Sequence, residues 1–145
     1  LLHDIGRRFG VTQLAHVIDG YDYLMTLVFD EPARISLTHS FAEKDIHTYI
    51  GKPDVSEADY QRILNLIASF DYDDYDRLIQ LCDSIAMAEG PADIVTRMSD
   101  VKNRYGFYPQ KKWDKHLELQ KYFEDKMGKS LNEVLSCQTS NQQTQ

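Results

Sequence analysis

Five polar residues of this chain fall on otherwise apolar helical faces: His3, Asp4, His16, His39 and Asp83. His16 sits among Leu14, Val17 and Ile18, with Gly20 one turn on leaving space beside the imidazole. His39 follows Ile35 by one turn and is bracketed by Leu37 and Phe41, and Asp83 interrupts the apolar run from Leu78 to Ala86. An imidazole or carboxylate turned into a core costs stability unless something pairs with it. Taken singly, each is more often a hydrogen-bonded core group than a ligand. Taken together, three imidazoles and two carboxylates need a cation to be satisfied. Mixed nitrogen and oxygen donors suit one or two divalent ions of the Fe, Mn, Zn, Ni or Mg type better than a soft thiolate metal. Two such ions ~3.5–4 Å apart would clamp the attacking and leaving oxygens of a phosphoester, with activated water as nucleophile. Asp4 neighbours His3 but leaves the chain in another direction, so it is the natural bridge.

The remaining polar clusters have plainer explanations. His47 lies among Glu43, Lys44 and Asp45, and His116 between Lys115 and Glu118, so both are expected on the surface. Asp73, Asp74 and Asp76 gather at the start of a helix, where its dipole favours them. Lys102, Arg104, Lys111 and Lys112 read as solvated helix faces.

The elements that must position the ligands are helices. Strict apolar-polar alternation and β-branched runs are missing, so an all-α protein is expected. Gly10 breaks the chain, and Thr12 is expected to cap a helix running to about Phe29. Pro32 suits the first turn of the next, which carries Ile35, Leu37, His39 and Phe41. Residues 42–55 form a loop, with a short irregular turn around Ile46 to Ile50. Ser56 opens a helix to about Ala68, and another runs from about Asp74 to Ala88, closed by Gly90. Pro91 starts a helix ending at Gly106, Lys111 to Lys126 makes one stopped at Gly128, and Ser130 caps a last short one. Residues 138–145 are polar and expected to be disordered.

At 145 residues the chain is expected to form a single domain over 1–137. A net charge of −7 argues against a nucleic-acid binder, although a bound cation can invert the sign locally. No apolar run is long enough to span a membrane and no signal peptide is visible, so no membrane partner is expected. Cys82 and Cys137 fit free thiols in a reducing cytosol, which places the protein in the cytoplasm.

The order of these residues resembles the HD-domain superfamily of metal-dependent phosphohydrolases over about residues 1–90. His3-Asp4-Ile5-Gly6 matches the central dyad, with Gly6 near the end of the helix carrying it, and Asp83 in Leu-Cys-Asp-Ser-Ile matches the terminal aspartate. His16 and His39, the latter in Leu-Thr-His-Ser, resemble the two histidines of the two-metal subset. The resemblance implies an HD-domain-like helical bundle in which His3, Asp4, His16, His39 and Asp83 are metal ligands. It also implies that Asp4 orients or bridges, and that Arg7, where a subset of the family has lysine, contacts phosphate. The substrate would be a small phosphorylated molecule or nucleotide, and a homodimer is compatible with it. The family's first histidine lies on a helix before the dyad, so the chain is expected to be N-terminally truncated and its metal site incomplete. Two alternatives stay open. One is a nucleotide- or metal-binding regulatory module without turnover, the other a helical interaction domain with a satisfied polar core.

Overall fold

The computed structural model describes residues 2–141, with side chains through 136. Among these residues there are seven α-helices: α1 (Ala15–Thr26), α2 (Asp30–Thr38), α3 (Glu57–Ser69), α4 (Asp74–Ile85), α5 (Ile94–Tyr105), α6 (Gln110–Met127) and α7 (Leu131–Asn141). The fold is all-α. The only strands described are two-residue ones, β1 (Ala86–Met87) and β2 (Gly90–Pro91), paired antiparallel. No helix described is long and apolar enough to cross a membrane. The chain divides into two compact units, Leu1–Gln80 and Leu81–Gln145.

The first unit is built on α1, which packs chiefly against α2 and against a 3-10 turn at Ile5–Phe9. Its apolar core joins Leu14, Val17 and Ile18 to Leu37, Phe41, Ile46, Ile63 and Ile67. The start of α1 is capped from a distance. The Asp54 carboxylate accepts from the Gln13 and Ala15 amides at 2.6 and 2.9 Å, and Thr12 makes no such bond. The expected Thr12 cap is therefore replaced by a residue of the 42–55 loop. That loop carries the anticipated short turn, at Ile46–Thr48. Ser56 caps α3 as expected, accepting from the Asp59 amide at 3.1 Å. Between α1 and α2 the chain turns through Val28, whose φ of 59° is a left-handed conformation rare for a β-branched residue.

The second unit has its own core of Leu81, Ile85, Ile94, Met98, Phe123 and Leu131. α4 stops at Ile85, short of the expected Ala88, because Ala86 to Pro91 form the small hairpin. Pro91 is accordingly a strand residue. Asp93 caps α5 instead, accepting from the Thr96 amide at 3.0 Å. α5 and α6 end at Gly106 and Gly128, both left-handed, as read from the sequence. Ser130 and Glu133 form a reciprocal capping box at the start of α7. α7 extends to Asn141, so residues 138–141 are helical rather than disordered; the rest of the expected tail lies outside the described residues.

His116 overturns its expected surface position. It is 5% exposed on α6, and the Tyr108 hydroxyl and its Nδ1 share a hydrogen bond of 2.8 Å. Burial pushes its imidazole down to about 3, with nearby Lys112 acting in the same direction. Its helical neighbours Leu119 and Phe123 are buried, and they, not its sequence neighbours Lys115 and Leu117, define its face.

Candidate metal centre

His3 and Asp4 do not end a helix. They lie in a turn that enters the 3-10 helix Ile5–Phe9, with Asp4 at its N-cap position. Gly6 is correspondingly not a helix stop but a close-approach point. A Cβ there would lie 1.9 Å from the His16 carbonyl oxygen and 2.7 Å from the Gly20 nitrogen. Absence of side chains at both glycines lets the turn press onto α1, and this carries the His3-Asp4 pair over His16.

α1 and α2 each contribute one buried imidazole, His16 at 1% and His39 at 4% exposure. Nδ1 of His16 donates to the Gln13 carbonyl, and Nδ1 of His39 donates to the Ser36 carbonyl at 2.8 Å. With Nδ1 donating in both rings, it is Nε2 of each that is turned into the cluster. Those two Nε2 atoms lie 3.2 Å apart. Asp4 Oδ1 faces both, 3.4 Å from His16 and 3.5 Å from His39. It is buried and makes no hydrogen bond. The ligand atoms of Asp4, His16 and His39 all fall within 4.8 Å of one another. Ser40 Oγ also lies 3.2 Å from His39 Nε2.

The second carboxylate oxygen of Asp4 looks the other way. Oδ2 is 2.9 Å from Arg7 Nε and 3.8 Å from His3 Nε2. His3 is partly exposed and sets its ring edge against His39, with centroids 5.0 Å apart. Its carbonyl accepts the Ser36 hydroxyl at 3.0 Å. Ser36 thus holds His39 through its carbonyl and the His3 backbone through its hydroxyl.

Electrostatics follow from this packing. Burial alone would raise the Asp4 carboxyl, but His39 and Arg7 beside it hold it well below the usual carboxylate range. Burial pushes the His16 imidazole down to about 4, and the proximity of His39 adds to that. The site therefore collects one carboxylate and at least one neutral imidazole near neutral pH.

Of the residues singled out in the sequence, the structure brings together His3, Asp4, His16, His39 and Arg7. Asp83 belongs to the second unit and is exposed, which corrects the expectation that its carboxylate faces inward. α4 buries Asp76, Gln80, Leu81, Ser84 and Ile85, and Asp83 lies off that stripe. Its charge bears on Lys112 and Tyr108. His47 is exposed, as expected. Two contributors were not anticipated. Ser36 gives no signal in the sequence beyond a small polar residue three before His39. Asp76, read as a helix-dipole residue, is fully buried.

Comparison of the chain with family models, with curated proteins and with solved structures returned no match. What fold and geometry define is a helical protein in which two histidines and an aspartate form a cluster able to hold a metal ion.

Proposed function

We propose that this chain is a metal-dependent phosphohydrolase of the HD-domain type, cleaving a small phosphate ester or nucleotide with metal-activated water. One observation carries the reading: two Nε2 lone pairs 3.2 Å apart, both turned toward an Asp4 oxygen without a hydrogen-bond partner. With both rings neutral, the two Nε2 atoms and Asp4 Oδ1 bring three electron-rich atoms together, and a divalent cation among them would relieve that crowding. A shared proton would relieve the imidazole pair but would sit beside a ring whose protonation burial opposes.

A first-row divalent ion held by His16, His39 and Asp4 would supply Lewis-acid activation of water and neutralise phosphate charge. The chain's own residues do the rest. Gln13 and Ser36 carbonyls fix the histidine tautomers. Asp4 has Oδ1 toward the histidine pair and Oδ2 toward His3 and Arg7, so a second ion, if bound, would be held by Asp4 and His3. Arg7, half exposed at the rim, offers a guanidinium to a phosphate oxygen. A cytoplasmic location is part of the same reading.

The reading without turnover draws on one contact. Arg7 Nε is already engaged by Asp4 Oδ2, which suits a binding module in which the arginine closes the site. Metal analysis after loading with Mn²⁺, Fe²⁺, Ni²⁺ or Zn²⁺, followed by a panel of phosphomonoesters, phosphodiesters and nucleotides, separates the two. Metal with hydrolysis supports the enzyme. Metal without hydrolysis on any substrate supports the module. Absence of stoichiometric metal, unchanged in His16→Gln and His39→Gln, overturns both and leaves a helical interaction domain.

A further inference from the structure

The first unit contains a buried titratable group that the proposed chemistry does not use. Asp76, on the first turn of α4, is 0% exposed. Its Oδ1 accepts from the Thr38 hydroxyl at 2.8 Å. Its Oδ2 accepts from the Asp73 amide and from Arg34 Nη2, each at 3.0 Å. One turn further along α4, Gln80 Nε2 donates to the Thr38 carbonyl at 3.0 Å. Thr38 is thus bonded to α4 through its hydroxyl and its carbonyl, the latter also accepting from the Phe41 amide at 2.9 Å.

Thr38 is the last residue of α2, and the next residue is His39. Helix ends leave carbonyls unsatisfied and fray readily. Here the end is closed by ring and backbone together: the His39 amide donates to Ile35 O at 3.0 Å and its Nδ1 to Ser36 O. An imidazole anchored to such a turn points only as accurately as the turn is held, and a ligand set tolerates an error of about half an ångström. Burying a carboxyl group is a costly way merely to fasten a helix end, since well-packed apolar side chains do that as well or better. Directional hydrogen bonds to one chosen residue are what apolar packing cannot supply.

We infer that Asp76 is a positioning residue for His39, acting through Thr38 and assisted by Gln80, so that α4 sets the aim of the α2 imidazole. The inference rests on the metal reading of the His16-His39-Asp4 cluster. Its test is a Co²⁺ titration of the whole chain, read by affinity and by the visible ligand-field spectrum. Wild type, Thr38→Val, Thr38→Ser, Gln80→Met and Asp76→Asn are compared, with urea midpoints measured alongside. Thr38→Val is expected to weaken Co²⁺ binding ~10–100-fold and to alter the spectrum, in the range found for lost outer partners of metal-bound histidines. Thr38→Ser restores both, because the hydroxyl returns. Gln80→Met, which removes only the donor to the Thr38 carbonyl, weakens binding in the same direction. The core variant Ile67→Val, destabilised without touching the clamp, keeps wild-type affinity.

Wild-type affinity and spectrum in Thr38→Val, Gln80→Met and Asp76→Asn would overturn the inference while leaving the metal site standing. An equal loss in Ile67→Val would overturn it too, by showing that affinity follows stability alone. If wild type itself takes up no Co²⁺, the metal reading fails and this inference fails with it.

Discussion

The Cβ that Gly20 lacks would stand 2.3 Å from Ser36 Oγ, the hydroxyl that holds the His3 carbonyl. Gly20 on α1 and Ser36 on α2 are therefore a steric pair on which the His3-Asp4 turn rests. Two effects compete if Gly20 becomes alanine. Helix propensity would gain about 1 kcal/mol. Overpacking a close-packed contact costs about 1–3 kcal/mol, and the crowded serine loses its bond to His3. The clash wins, so Gly20→Ala is expected to lower the urea midpoint and to weaken metal binding. A higher midpoint would show that the junction yields without penalty.

Metal loading should stabilise the chain, because the cluster forms only when the 3-10 turn at Ile5–Phe9, α1 and α2 are folded together. At a hundredfold excess over Kd the gain is about 2.7 kcal/mol. For a chain of this size that raises Tm by about 5–10 °C. EDTA should reverse the rise. His39→Gln should abolish it, and His47→Gln, altered at an exposed histidine, should preserve it.

His116 makes a pH prediction outside the metal site. Its folded value of about 3 lies below the ordinary 6.5, so between those limits the unfolded chain binds the extra proton. Stability is therefore complete above about pH 6.5 and is lost as the pH falls toward 3. The group contributes a slope of up to ~1.4 kcal/mol per pH unit in that window. Urea unfolding of wild type and His116→Gln at pH 7, 6, 5 and 4.5 measures it. The variant should show the shallower decline, and parallel curves would refute the assignment.

Val28 offers a stabilising change. It is exposed and sits at φ 59°, where a β-branched side chain is strained. Val28→Gly is expected to raise stability by about 1 kcal/mol, the relief of strain exceeding the extra freedom given to the unfolded chain. Thermal unfolding would show a Tm a few degrees higher, and a lower Tm would place the strain elsewhere.

Much of the helical order was legible because capping and periodicity are local. Ser56, Gly106, Gly128 and Ser130 mark ends that the structure keeps. His16 and His39 were legible as inward residues from their apolar neighbours. His116 is hidden from a local reading because Lys115 and Glu118 flank it in sequence while Leu119 and Phe123 share its helical face. Asp83 is the reverse case, since its apolar sequence neighbours are not all on the buried side of α4. Asp54 and Asp76 could not be read locally at all. Each satisfies groups about 40 positions away, the Gln13 and Ala15 amides and the Thr38 hydroxyl, and only the closed fold brings them near.

The anchors of both site histidines are main-chain carbonyls, Gln13 O and Ser36 O. Every residue type carries that carbonyl. Side chains at positions 13 and 36 could be exchanged without deleting the acceptor that fixes either tautomer, provided α1 still begins and α2 still ends where they do. The chemical identity of the two Nε2 donors is thus encoded in helix boundaries and not in neighbouring residue types.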